Sequence, residues 1–382
     1  MKFGVTILVL GGTLLCCSAG EVGGPPAKIQ FMSPLNYEVV QSAEGKGEIR
    51  VIVSVTPATV VTQAGVRVEA RITGPGLAGE WFRVPSAAEQ NSFRAERMTP
   101  AGGWYRVEAR VLVDGANAAD AFVEHVGVGE IFVVAGQSNS ANYGEERQET
   151  QTGLVAAFDG VKWQPARDPE PGAGGAKGSF MAVFGDELAR RLKVPVGVVA
   201  MGIGSTSVRE WLPAGTHFPQ PPTITRNVVE RGTNDWEAVG KIYSNFVARL
   251  KGFGPQGFRA VLWHQGESDA NQAAGRTLSG ELYRKYLTQL IQDSRRDAGW
   301  DIPWFVAQAT YHNPQDTGSA DIRAAQRALW ESGLALPGPD TDKLTGDMRE
   351  KNGMGVHFSV KGLQEHGKMW ADRVVPWLTK QP

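Results

Sequence analysis

From about Lys28 to His125, apolar and polar residues alternate in short runs: "EIRVIVSV" (48–55), "VRVEARI" (66–72), "EWFRV" (80–84) and "GWYRVEARVLVDG" (103–115). A period of two puts one side of each run into a core, and "GPG" (74–76) and Asp114-Gly115 separate the runs as turns. No stretch of helical period interrupts them. The pattern predicts a small Ig-like antiparallel β-sandwich over residues 28–126.

After "VGVGE" (126–130) the pattern changes. Continuously apolar runs, "IFVVA" (131–135), "VPVGVVAM" (194–201), "AVLW" (260–263) and "IPWFVAQA" (302–309), now alternate with amphipathic stretches. Phe180, Val183, Phe184, Leu188 and Leu192 recur at helical spacing, as do Trp236, Val239, Ile242, Phe246 and Leu250. "ELYRKYLTQLIQDSRR" (281–296) and "ADIRAAQRALWESG" (320–333) also read as helices. Strands that are apolar on both faces, alternating with helices, predict a three-layer α/β/α unit over residues 129–380 with a central parallel sheet. Residues 140–178 and 213–235 read as long surface loops.

Such sheets bind ligands at the carboxyl ends of their strands. Three of the runs end in small or hydrogen-bonding residues: "GQSN" (136–139), "GIGSTSVREW" (202–211) and "HQGESD" (264–269). Ser138 comes directly after its strand, where the start of a helix would aim N–H groups at a developing anion. The plainer reading is that Ser138 or Ser140 only caps that helix. A serine nucleophile also needs a base. Of the six histidines, His125 belongs to the sandwich, and His366 falls on the C-terminal helix among charged neighbours and reads as solvated. His217 and His312 lie in loops. His264 and His357 remain, the latter in the glycine-rich "GMGVHFSVKG" (353–362) before a final helix capped by Ser359.

"GEIFVVAGQSN", "PVGVVAMGIGSTSVREWLP", "WHQGESDA" and "GVHFSVKG", in this order, resemble the blocks of the SGNH-type hydrolase superfamily, in its sialate O-acetylesterase and acetylxylan esterase branch (carbohydrate esterase family six). The resemblance implies Ser138 as nucleophile and His357 as base. It implies an oxyanion hole made by the backbone N–H groups of Ser138 and Gly204 with the side-chain amide of Gln265. Many members carry an aspartate three residues before the histidine, where this chain has Met354. The resembling branch points instead to Glu267 as the third member, with Asp347 and Asp342 as fallbacks. Ser205 replaces a glycine of the pattern, a cheap change unless the backbone there needs a positive φ. Gln137, Asn139, His264 and Trp211 are candidates for substrate contacts, Tyr143 for stacking on a sugar, and Trp263 for the core.

Composition narrows the partners. Lysine plus arginine (39) nearly balances aspartate plus glutamate (40), so no broad positive field favours nucleic acid. Met1-Lys2, the apolar stretch Phe3 to Leu15 and Cys16-Cys17-Ser18-Ala19-Gly20 describe an export signal over residues 1–20, too short and glycine-interrupted for a membrane span. A lipoprotein signal is the weaker reading, because Leu14-Leu15 precede Cys16. Both cysteines lie in this segment, and no H-E-x-x-H, calcium loop or phosphate loop with its lysine occurs. No metal or cofactor is therefore expected. The expectation is an exported serine esterase acting on an acetylated carbohydrate. The alternatives are a binding module with a degenerate site, motivated by Met354, and a sugar O-acyltransferase.

Overall fold

The computed structural model describes residues 26–61, 65–87, 91–273 and 275–380. The export-signal segment and both cysteines lie outside them. In the N-terminal part, β1 (Lys28–Ser33), β3 (Lys46–Thr56) and β6 (Ser92–Pro100) form one antiparallel sheet in the order β1-β3-β6. It faces a second sheet of β4 (Val66–Thr73), β5 (Phe82–Val84), β7 (Gly102–Val113) and the first part of β8 (Ala116–Gly136). Ile49, Val51 and Val53 from one sheet and Val68, Ala70, Val107 and Ala109 from the other share a single buried core, as the alternating runs require. One pair departs from an all-antiparallel arrangement: β2 (Glu38–Gln41) lies parallel to β8. Ala58–Val61, a single helical turn (α1), comes after β3.

β8 does not end with the sandwich. It continues as one strand of 21 residues into the large sheet, so the change in sequence texture near residue 128 falls inside a strand and not at a linker. The large sheet runs β10-β9-β11-β8-β15-β16-β17, with β9 (Val155–Phe158), β10 (Trp163–Pro165), β11 (Val196–Ala200), β15 (Ala260–His264), β16 (Trp304–Gln308) and β17 (Leu336–Asp340). Every neighbouring pair from β9 to β17 is parallel, and only the edge hairpin β9-β10 is antiparallel. Along β8, Ile131, Val133 and Ala135 face α3 (Lys241–Gly252), α4 (Gly280–Ala298) and α5 (Ala320–Glu331). Phe132 and Val134 face α2 (Met181–Leu192) and α7 (Val360–Leu378) on the opposite side. Two covered faces explain why these strands read as continuously apolar.

Trp236 and Val239 are not helical. Trp236 lies in β14 (Asp235–Ala238) of a small excursion sheet with β12 (His217–Phe218) and β13 (Val228–Gly232). Gly240, at φ +76°, then turns the chain into α3, and a Cβ there would come within 2.3 Å of the Ala214 nitrogen. The left-handed residue breaks a hydrophobic period that continues across it. β17, "LPGPD", has no apolar run to announce it, and its two prolines are tolerated at the sheet edge.

Candidate active site

β8 stops at Gly136, whose φ is +127° and whose absent Cβ would lie 2.1 Å from the carbonyl oxygen of His264. That close approach of β8 to β15 needs glycine and brings the "GQSN" and "HQGE" turns side by side. Beyond Gln137 the chain forms a 3-10 turn, Ser138–Ser140, and not an α-helix, so no helix N-terminus stands behind the serine. The turn closes on itself, with Ser140 Oγ donating to Gln137 O at 2.7 Å. Ser138 has no hydrogen-bond partner for its hydroxyl among the described residues, and the hydroxyl is not sealed from solvent.

His357, in the loop that abuts this turn, is one-fifth exposed. Its Nδ1 lies 2.9 Å from Glu350 Oε1, and its Nε2 is unpaired and open to solvent. Tyr143 stacks on the imidazole, with ring centroids 5.6 Å apart. The flanking residues join the two turns directly: Asn139 Nδ2 donates to Val356 O at 3.2 Å, and Glu145 N donates to Phe358 O at 2.9 Å. Burial lowers the His357 pKa below its ordinary value, and the Glu350 carboxylate works against that shift. Neutral imidazole with Nδ1–H held by a carboxylate leaves Nε2 as the acceptor, the state a general base needs.

The carboxylate hydrogen-bonded to His357 is Glu350, whereas Glu267, expected in that place, makes no hydrogen bond to the imidazole. Glu267 is buried, with Oε1 accepting from Asn139 Nδ2 at 2.8 Å and Oε2 unpartnered. Burial pushes its pKa up to about 7, against the pull of the Asn139 hydrogen bond. The fallbacks are engaged elsewhere. Asp347 pairs with Lys361 at 2.6 Å on the surface, while Asp342 accepts from Thr310, Tyr311 and Arg323.

The three expected oxyanion donors differ in what they already bond. The N–H groups of Ser138 and Gly204 have no protein acceptor among the described residues, which leaves both free for a developing anion. Gln265 is different: its Nε2 donates to Asp269 Oδ2 at 2.7 Å and to Thr206 O at 3.2 Å, and the side chain is fully buried. A charge-assisted bond to Asp269 engages that amide within the protein. Asp269 in turn accepts from Ser207 Oγ, Val208 N and the buried Arg209, so it braces the "GIGSTSVREW" turn against "HQGES". A side chain at Gly204 would require Tyr143 to shift, because a Cβ would fall 2.6 Å from its hydroxyl oxygen. Ser205 adopts φ +60°, so the residue that replaces glycine does sit in the left-handed region, at a cost of about 1 kcal/mol.

The side chains expected to touch substrate make these bonds within the protein. Gln137 Oε1 accepts from Ser268 N at 3.0 Å, His264 Nε2 lies 2.9 Å from Thr341 Oγ1, and Trp211 is fully buried with its indole N–H on Thr206. Together with Asn139 these side chains are buried and brace the site from inside, and Trp211 also lines the neighbouring cavity. His366 is likewise buried, against Phe180 and Phe358, where it accepts from Trp370 Nε1 at 3.0 Å. The charged neighbours that suggest solvation occupy the other face of α7. Trp263 is core, as expected. A cavity of about 670 Å³ lies beside the site; it is lined by Ile203 next to Gly204, by Trp211, Phe158 and Arg249, and by Leu35 and Glu38 from the sandwich.

Residues 128–376, more than half of the chain, match the family model described as carbohydrate esterase, sialic acid-specific acetylesterase. The chain belongs to this family. It is a carboxylic ester hydrolase, of the sialate O-acetylesterase type that its motifs resemble. Among solved structures it is similar to XAC1771, a carbohydrate acetylesterase from Xanthomonas citri, at 16% identity and TM-score 0.49 over 90% of this chain and 74% of that one. It is also similar to a protein from Arabidopsis thaliana, at 19% identity and TM-score 0.43 over 66% of this chain and 98% of that one. A family two carbohydrate esterase from Clostridium thermocellum, solved with cellohexaose, aligns at 11% identity and TM-score 0.37 over 92% of this chain and 99% of that one. A search of curated proteins gave no match.

Proposed function

We propose that this carbohydrate esterase is an exported serine hydrolase that removes O-acetyl groups from acetylated sialic acid or a hemicellulose-type glycan through an acyl-enzyme. Ser138 Oγ attacks the ester carbonyl while His357 Nε2 takes its proton. The negative oxygen is received by the N–H groups of Ser138 and Gly204, and Glu350 holds the imidazolium through Nδ1–H. The carbonyl reforms, the leaving sugar hydroxyl takes the proton from His357, and water repeats the sequence to release acetate.

The observation that carries this reading is the oriented imidazole: Nδ1 of His357 is 2.9 Å from Glu350, which leaves Nε2 unpaired, as is the Ser138 hydroxyl. It also weighs against a binding module with a degenerate site, since Glu350 supplies the carboxylate that Met354 does not. Export rests on the sequence of residues 1–20. The sandwich, taken as an Ig-like unit over residues 28–126, walls the cavity beside the esterase unit of residues 129–380. The test is acetate release from O-acetyl sialic acid, acetylated xylan and 4-nitrophenyl acetate by wild type and Ser138→Ala. Loss of turnover in a folded Ser138→Ala protein supports the reading; equal rates overturn it. Acetyl appearing on an added sugar acceptor in place of free acetate would make the enzyme a transferase.

A further inference from the structure

Arg349 immediately precedes Glu350 and is 2% exposed, yet no carboxylate lies within salt-bridge distance of it among the described residues. Its guanidinium donates to three backbone carbonyls: Nε to Leu344 O at 2.5 Å, Nη2 to Thr341 O at 2.8 Å, and Nη1 to Val356 O at 2.6 Å. Two ring faces enclose it, Tyr311 and Phe358, each with its centroid 4.2 Å from the guanidinium carbon. Burial lowers its pKa to about 10, and the charges of Glu267 and Asp342 oppose the shift, so the group stays cationic at neutral pH. Burying a cation without a touching carboxylate is costly, and apolar residues of similar volume would fill the space at less expense in stability. The arrangement calls for another explanation.

Val356 O supplies it. This carbonyl precedes His357 and receives two donors, Arg349 Nη1 and Asn139 Nδ2. Asn139 is next to Ser138 in the chain and is itself held by Glu267 at 2.8 Å. Glu350 N donates to His357 O at 2.9 Å, closing the loop on its other strand. The neighbours of all three members of the triad thus meet at one carbonyl oxygen. We propose that Arg349 is a positioning residue, whose guanidinium, with Asn139, fixes the Glu350–His357 pair in register with Ser138. Only a planar fork can reach three divergent carbonyls while filling the slot between two rings, so lysine does not substitute for it.

This inference rests on the serine esterase reading, and the test separates the two. Arg349→Lys is compared with wild type and Ser138→Ala on 4-nitrophenyl acetate, with thermal melting and a pH profile for each. In a folded Arg349→Lys protein, kcat falls about tenfold or more while KM changes less than about threefold. The acid limb of kcat/KM moves to lower pH, because a slackened Glu350 no longer raises the His357 pKa. Wild-type kcat and an unmoved limb overturn the inference while leaving a Ser138-dependent enzyme intact. Turnover by Ser138→Ala equal to wild type removes the underlying reading instead. Should Arg349→Lys not fold, Tyr311→Leu takes its place: it keeps the three hydrogen bonds but removes one ring face. A loss of kcat of about threefold or more with the same shift of the limb supports the proposal, and an unchanged profile overturns it.

Discussion

Glu350 and His357 lie seven residues apart in the chain and 2.9 Å apart in space, joined through Nδ1 of the imidazole. The residues between them turn back on themselves: Lys351 and Asn352 adopt left-handed conformations, and Gly355 N returns to Glu350 O at 3.0 Å. In the proposed mechanism a carboxylate so placed takes the part of the aspartate that stands three residues before the histidine in the motif this chain resembles.

The first expectation separates the two glutamates. Glu350→Gln leaves an amide that no longer stabilises the imidazolium, and kcat/KM falls by about a hundredfold or more. Glu267→Gln keeps an oxygen for the Asn139 amide and stays within about fivefold of wild type. Initial rates on 4-nitrophenyl acetate decide it. A severe Glu267→Gln defect beside a mild Glu350→Gln one would return the third place to Glu267.

The pH profile is set by the shift of His357. Its pKa is lowered, chiefly by burial, and the base works only when neutral. Activity is therefore lost as pH falls through that lowered value, which places the acid limb of kcat/KM below about 6.5. Glu350→Gln removes the opposing, raising influence and carries the limb lower still. A limb above about 7 in wild type would contradict the assignment.

Gly204→Ala probes the packing around the oxyanion donor. The new methyl group would meet the Tyr143 ring, with atoms at 2.6, 2.7 and 2.9 Å, and Tyr143 stacks on His357. We expect a loss of kcat of about tenfold or more, partly recovered in Gly204→Ala/Tyr143→Ala, where the space is vacated. Full activity in the single variant would show that Tyr143 yields freely.

Glu170 governs the alkaline side of stability. It is almost fully buried, neither carboxylate oxygen has a partner among the described residues, and burial with the nearby Asp168 pushes its pKa up to about 8. The folded state therefore holds this proton more tightly than the unfolded chain does. Its stabilising effect is complete below the ordinary value near 4.5 and is lost as pH rises towards 8. Glu170→Gln cannot ionise, so its stability relative to wild type improves between about pH 5 and pH 8. Urea unfolding at both values measures the difference, and a gap independent of pH would contradict it.

The parts of this molecule that are legible in its sequence are those set by local pattern. Ile131–Ala135 and Ala260–Trp263 announce two-sided burial, and the segment from Met181 announces an amphipathic helix. Ser138 follows closely on the end of β8, as the apolar run before it announces. Glu350 carries no such signal, because its contact depends on a loop with two left-handed residues that no periodicity encodes. Gln265 misleads for a related reason: its type suits an oxyanion donor, but a buried Asp269 four residues on captures the amide. Trp236 reads as helical because hydrophobic spacing continues through Gly240, where the backbone does not.

The continuity of β8 makes the sandwich something other than a tethered accessory. A domain on a flexible linker searches a volume and contributes through effective concentration. Here one strand is paired with β2 and β7 at one end and with β11 and β15 at the other. Glu130, midway, is gripped by Arg259, Gln41 and Ser42. The sandwich thus acts on the strand that ends at Gly136, two residues before Ser138, and a mutation that loosened its pairing would be transmitted along the backbone towards the proposed nucleophile.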